Sequence, residues 1–275
     1  MTCIPSGLAT RRHCGLWCTL VASNSQVNDM SIDGRHDIEG LQRIGAIVAE
    51  ARDAMGARVA PGVTTAELDL IGKEVLERHG ARSAPQLAYG FPGVTCISVN
   101  DDIAHGIPAA TRILQEGDLV NIDVSAELDG YWADTGASFP VGAVSVQSAE
   151  LLNATRQALQ DAMEQATAGA PMNNIGRAVE RRAKRCGFRV VRNLCGHGVG
   201  RYIHEDPQVP NTFQPRNRML LKEGWVITIE PFLTTRATTA VTAADGWTLR
   251  TPDGSRGAQF EHTMIITRDR PIVVT

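Results

Sequence analysis

Asp123 and Asp134 lie on either side of an Asp129-Gly130 turn signal, in two runs rich in β-branched and aromatic residues, so the stretch 116–140 predicts a β-hairpin. With the turn centred between Leu128 and Asp129, Asp123 falls directly across from Asp134, about 4.5–5.5 Å away on one face. Like charges placed there need a proton, an arginine or a metal between them. The other side chains able to take part are His197 and His204 in CGHGVGRYIHEDP, Glu230 in TIEP and Glu261 in QFEHT. Taken singly, a strand carboxylate reads as a solvated face and a histidine as a hydrogen-bonded core residue. Asp123, Glu230 and Glu261, however, each sit in or beside strongly apolar runs, where an unpaired charge costs several kcal/mol. Three such placements call for one shared positive partner.

Asp123, Asp134, Glu230 and Glu261 with His197 make an oxygen-rich donor set carrying about four negative charges, which two divalent ions would nearly cancel. Mn, Fe, Co or Mg suit it better than a structural zinc, and two ions about 3.5–4 Å apart would hold a hydroxide ready to attack a carbonyl. Cys195 as a nucleophile beside His197 is the weaker use of these residues, because neighbours two apart on a strand do not form a reliable dyad. Gly196 and Gly198 flank His197 and permit close backbone approach.

The elements that must position these groups are legible as periodicity. Ile38, Leu41, Ile44, Val48, Ala51 and Met55 form a helical stripe that ends before Pro61-Gly62. Thr64 and Glu67 make a capping box for a second helix, with Gly80 at its C-terminal cap. Residues 83–93 read as a loop, 94–100 as a strand, and HGIP (105–108) as a turn before the hairpin. The plan then repeats, with helices from about Ser148 to Thr167 and from Asn174 to before Gly187. At an offset of 107, Gly62 falls on Gly169, Leu68 on Ile175, Gly80 on Gly187, and EGDLVNID on EGWVITIE, so that Asp123 falls on Glu230. One shift relating helix landmarks and a strand argues for internal duplication, with a pseudo-twofold site between the halves.

Composition bounds the rest. A chain of 275 residues, 43% hydrophobic, can bury a sizeable core. No apolar run approaches a membrane span, and a net charge of −3 offers no basic surface for nucleic acid. Six scattered cysteines without a CxxC pair fit reduced thiols in the cytoplasm. Residues 1–33 read as a disordered leader, or as the product of a start codon placed too early with Met30 the true beginning. The apolar patch there is too short for a secretion signal, and His13 with Cys3, Cys14 and Cys18 matches no compact zinc pattern. Residues 34–275 are expected to form one domain, with halves at about 38–140 and 145–270.

From residue 37 onward the sequence resembles a type I methionine aminopeptidase, of the creatinase/prolidase "pita-bread" superfamily. The resemblance rests on HGIP, the NID motif with its second aspartate eleven residues on, GHGVGRYIHEDPQV, TIEP and QFEHT. It implies an α+β pita-bread fold, two pseudo-twofold halves with a curved antiparallel sheet covered by helices. It implies five metal ligands, Asp123, Asp134, His197, Glu230 and Glu261, of which Asp134 and Glu261 bridge two divalent ions (Mn, Fe or Co, with Zn and Mg as further candidates). Glu230 would serve as proton acceptor, and His105 and His204 would contact the scissile amide. The activity implied is removal of the N-terminal methionine from nascent polypeptides, near the ribosome, by a cytoplasmic monomer. Phe91, Cys96 and Trp247 fall at positions of the family's methionine pocket, whereas Ala88 and Ile203 replace aromatics, which leads us to expect a roomier pocket and a broader range of first residues. The alternatives are an Xaa-Pro-type enzyme, which usually carries a further N-terminal domain, and a non-catalytic binding module on the same fold.

Overall fold

The Asp129-Gly130 pair sets the geometry of the first hairpin. Both residues take left-handed backbone angles, φ 53° and 83°, as a two-residue type I′ turn requires, and Leu128 therefore pairs with Tyr131. The turn is thus centred one residue later than expected. Asp123 faces Gly136, and Asp134 faces Ser125; the two aspartates share a face as diagonal neighbours rather than as a direct pair.

The computed structural model describes Ile32 and residues 34–275; the leader positions discussed above, Cys3, His13, Cys14, Cys18 and Met30 among them, lie outside the described residues. The first half contains α1 (Arg35–Gly56), α2 (Thr65–Arg78), β1 (Arg82–Ser83), α3 (Ala84–Tyr89), β2 (Cys96–Val99), β3 (Asp102–Ala104) and the hairpin strands β4 (Leu119–Leu128) and β5 (Tyr131–Pro140). The second contains α4 (Val146–Met163), α5 (Asn173–Cys186), β6 (Arg189–Val190), β7 (Cys195–Gly198), β8 (Glu205–Pro210), β9 (Val226–Ile229) and β10 (Phe232–Thr234). A small hairpin, β11 (Val241–Thr242) and β12 (Leu249–Arg250), precedes β13 (Gly257–Gln259), β14 (His262–Ile265) and β15 (Ile272–Val273). The expected capping box is present at α2, with Thr64 accepting from Glu67 N and Glu67 accepting from Thr64 N. The expected loop over 83–93 is corrected: Ser83 caps α3 through Gln86 N, and Pro85 sits in its first turn, where a missing N–H costs nothing.

The duplication extends to individual hydrogen bonds. Gly62 N donates to Leu114 O and Gly169 N to Leu221 O, both at 2.8 Å. The Thr64–Ile113 bridge recurs as Pro171–Leu220, and the Ser83–Ala126 pair as Val190–Leu233. The long strand β4 therefore corresponds to β9 and β10 together, interrupted at Glu230-Pro231, where proline removes a ladder donor. Its hairpin partner β5 corresponds to β13 and β14.

The two hairpins meet edge to edge. Ala137 bridges Phe260, Glu261 N donates to Gly136 O at 2.8 Å, and the Thr263 hydroxyl both accepts from Asp134 N and donates to Asp134 O. Pairs Ile229–His262 and Phe232–Gln259 bracket Glu230 and Glu261, so these glutamates lie opposite one another. A single row thus crosses four strands as Asp123, Gly136, Glu261 and Glu230, with Asp134 two residues along from Gly136 on the same face. A side chain at Gly136 would start 2.2 Å from Gln259 Oε1, which explains the glycine in the row.

The opposite face of each half is apolar and covered by helices, as the expected pita-bread architecture requires. Val120, Ile122 and Val124 pack under α1 and α2 in one core; Ile227, Ile229 and Leu233 pack under α4 and α5 in another. Among the described residues no helix is long and apolar enough to cross a membrane. Ile122 and Ile229 are equivalent by the repeat, and both are fully buried in different cores. We expect Ile122→Ala and Ile229→Ala each to cost about 2–5 kcal/mol in urea unfolding and to be additive within roughly 0.5 kcal/mol in the double variant. A larger coupling would mean that the two halves share one core.

Candidate active site

Each site residue is delivered by a distinct element. Asp123 comes from β4, Asp134 from β5, Glu261 from the link between β13 and β14, and Glu230 from the break between β9 and β10. His197 comes from β7, which pairs with β9. That approach is close enough that a side chain at Gly196 would meet Thr228 O at 2.4 Å. All five side chains line one cavity together with His105 and His204. Donor atoms of Asp134, His197 and Glu261 lie within 4.8 Å of one another. Glu230 Oε1 is 3.5 Å from His197 Nε2.

The electrostatics show what the cavity is missing. No lysine or arginine is among the lining residues. Burial raises the carboxyl pKa of Asp123 to about 6. Burial, followed by the neighbouring charges of Glu261 and Asp123, holds Asp134 well above the usual range; burial and the charges of Glu230 and Asp123 do the same to Glu261. His197 is pushed down to about 4 by burial and is therefore neutral. Its Nδ1 lies 2.8 Å from Gly198 O, and a carbonyl can only accept, so the proton sits on Nδ1 and the Nε2 lone pair faces the carboxylates. Nε2 is 3.5 Å from Glu230 Oε1 and 3.8 Å from Asp134 Oδ2. Acceptors thus confront acceptors, and Asp134 Oδ1 and Glu261 Oε1 are buried without a hydrogen-bond partner. A cation placed among these atoms satisfies all of them, so the residues fit a divalent metal.

Neighbouring groups hold the donors in place. Gln259 Nε2 donates to Glu261 Oε2 at 2.8 Å, while its Oε1 accepts from Asn121 Nδ2 at 2.8 Å. The Thr228 hydroxyl donates to Glu230 Oε1 and accepts from His197 N. His105 follows β3 with φ 52°, a left-handed conformation uncommon for a non-glycine residue and characteristic of functional sites. Burial first, and then the neighbouring His197 imidazole, which would repel a second protonated ring, push its pKa down to about 4. His204 is also driven well below its ordinary value, by burial first and then by His197 and His105. It sits on a loop fastened by Glu205, which accepts from Arg201 N and Tyr202 N.

Beside this cavity lies a small pocket of about 40 Å³ that shares His105, Asp123, Asp134 and His204 with it. Phe91, Cys96 and Trp247 line it, as does Ile203. Phe91 and Trp247 meet edge to face at 5.3 Å, and Cys96 stands opposite Asp123 on β2. Of the two departures behind the expected roomier pocket, Ile203 lines it. Ala88 packs toward the first core, and the next residue, Tyr89, supplies an aromatic wall. Tyr89 also places its hydroxyl 2.5 Å from His204 Nδ1. The sequence reading missed Tyr89 because it lies on α3; the signal for that helix was Ser83 with Pro85 behind it. Gln259 stood inside a quoted motif without a role, and its β-strand alternation with Glu261 was the available clue.

The chain matches metallopeptidase family M24 over residues 39–268. It is similar to methionine aminopeptidase 2 of Bacillus subtilis, 51% identical over 247 residues, which is 90% of this chain and 99% of that one. Among solved structures it resembles methionine aminopeptidase from Thermotoga maritima, with a TM-score of 0.86 and 33% identity, covering 89% of this chain and 98% of that one. Prolidase from Pyrococcus furiosus, 24% identical, shares the fold at a TM-score of 0.70, and the match covers 90% of this chain and 65% of that one.

Buried carboxyls with raised pKa bind more protons folded than unfolded, so in metal-free protein their contribution is present at low pH and lost as pH rises through the folded values. For Asp123 the window runs from the model-compound value of 3.8 to about 6, and the swing is on the order of 3 kcal/mol. Asp134 and Glu261 extend it upward. The buried histidines shift the opposite way, His105, His197 and His262 down to about 4 and His204 well below its ordinary value, so the metal-free Tm sums opposing contributions. Because a divalent ion competes with protons for the carboxyls, added Mn²⁺ should raise the Tm more at pH 7.5 than at pH 5.5. A Mn²⁺-induced rise in Tm that is no larger at pH 7.5 would contradict the assignment.

Proposed function

Because the chain belongs to metallopeptidase family M24, we propose that it is a metal-dependent methionine aminopeptidase that hydrolyses the first peptide bond of nascent polypeptides. The observation that carries this reading is the junction of a five-donor cavity lined by no lysine or arginine with a small pocket lined by Phe91, Cys96, Trp247 and Tyr89. Such a pocket accepts one apolar side chain and leaves no room for a residue before it, which suits an exopeptidase. Relatives named methionine aminopeptidase support the same activity.

Asp134 and Glu261 are proposed to bridge two divalent ions, Asp123 to complete one, and His197 with Glu230 to complete the other. Oxygen-rich donors favour Mn, Fe or Co, with Zn and Mg as further candidates. When bound, such ions supply Lewis acidity and make water more acidic. The protein's own groups do the rest. The carboxylates anchor the substrate's α-amine, and Glu230, steadied by Thr228, takes the proton of the attacking water. His105 and His204, both neutral, offer N–H donors to the developing oxyanion and the leaving amide. We assign Tyr89 as the donor in its contact with His204 Nδ1, an assignment that places the ring proton on Nε2, the atom able to face the substrate. Residues 34–275 are read as one catalytic domain, working as a monomer in the cytoplasm near the ribosome. An Xaa-Pro dipeptidase is less well supported, since the chain is 51% and 33% identical to methionine aminopeptidases and 24% identical to the prolidase, and the full donor set argues against a non-catalytic module.

The test is release of methionine from Met-Ala-Ser with added Mn²⁺ or Co²⁺. Asp134→Asn and Glu261→Gln should each lower kcat/KM by roughly 100-fold or more; survival of activity in both would contradict the bridging roles. Tyr89→Phe keeps the ring in the pocket and removes the hydroxyl, so kcat should fall about tenfold with KM within about twofold. An unchanged kcat would make the Tyr89–His204 contact idle.

A further inference from the structure

Three cavities lie in series. The small pocket shares four residues with the carboxylate cavity, and that cavity shares Cys195 and Gln208 with an open groove of about 760 Å³. The pocket and the groove have no lining residue in common and each adjoins the carboxylate cavity through different residues. On the proposed reading, which this inference rests on, the first side chain fills the pocket and the scissile bond lies at the carboxylates. The rest of the peptide must then leave past Cys195 and Gln208. Because the groove directly adjoins the carboxylate cavity, the substrate residues beyond the one that follows the scissile bond, the third and fourth, are the ones assigned to it.

The groove is preformed and cationic. Its outer wall is the loop 211–219, tied to α5 by Asn173, whose Nδ2 donates to Gln214 O at 2.8 Å and to Asn217 O at 2.7 Å, and whose Oδ1 accepts from Gln214 N at 2.8 Å. Phe213 N adds a bond to Glu180 at 3.1 Å. A wall fixed in this way binds an extended chain without first having to be ordered. Arg192 and Arg216 are exposed on the groove, and neither has an ion pair among the described residues. The one acidic lining residue is Asp206. Behind the groove, α5 exposes Arg177, Arg181, Lys184 and Arg185, so the small negative net charge of the chain conceals a local positive field.

We infer that this groove is the binding site for the residues that follow the cleaved bond, and that Arg192 and Arg216 make it favour acidic side chains at substrate positions three and four. The recognition is electrostatic and solvent-exposed, so its size is modest and it weakens as salt shortens the screening length.

Amidated peptides Met-Ala-Glu-Glu, Met-Ala-Ser-Ser and Met-Ala-Lys-Lys test this with the Mn²⁺-loaded protein. At low ionic strength kcat/KM should fall in that order, with about threefold to tenfold between the acidic and basic peptides, and the spread should shrink at 0.5 M salt. In Arg192→Glu/Arg216→Glu, whose thermal melt checks folding, the ratio of acidic to basic rates should invert. A ratio cannot be inverted by a general loss of active protein. Equal rates on the three peptides, or a preference that survives the double reversal, would overturn the groove assignment while leaving methionine removal standing. Failure to cleave any of the three would overturn the aminopeptidase reading first, and this inference with it.

Discussion

Several buried carboxyl groups on one sheet face, with no basic side chain among them, are the constraint around which this protein is built. Asp123, Glu261 and Glu230 reach that face because four strands from two hairpins are held in one register, and Asp134 joins them from two residues along. None of the four would be tolerated there alone. Their mutual repulsion is relieved only by protons or by cations, and His197, with its lone pair turned toward them, is arranged for the cation. The strained backbone at His105, the clamp of Gln259 on Glu261 and the glycine at 136 all follow from packing donors so tightly.

The scaffold that meets this demand is a duplicated one. Each helix pair covers a separate apolar cluster, although Val199, Ile203, Val226, Ile265 and Val274 of the second half join the first cluster and Leu119 and Ala137 of the first half join the second, so the inner faces are free to carry polar groups without loss of the core. The halves are not equivalent where it matters. The first supplies an unbroken strand; the second is interrupted by Pro231, and its hairpin partner arrives after the β11–β12 excursion that also brings Trp247 to the pocket. Asp134 has no counterpart at the repeat offset, where Val241 stands, and this asymmetry gives the pseudo-twofold site a distinct pocket and groove.

Much of this was legible in the residues. The apolar alternation of Val120, Ile122 and Val124, the Thr64–Glu67 box and the offset of 107 all depend on local periodicity, and local periodicity survives folding. The hairpin register did not follow from pattern alone, since a turn one residue earlier also suits an Asp-Gly pair; it was decided by Asp129 and Gly130 both adopting left-handed angles. The pairing of Gly136 with Glu261 joins strands more than a hundred residues apart and has no local signature. Tyr89 was hidden because proline and glycine around a short helix read as loop, and the basic groove because a net charge averages over the whole chain.

The most direct test of the account is an anomalous difference map from crystals of the protein grown with Mn²⁺. Peaks should touch Asp134 and Glu261, with Asp123, His197 and Glu230 completing the coordination. A map with no peak in the cavity, or with manganese bound elsewhere while the five side chains remain as they are, would contradict it.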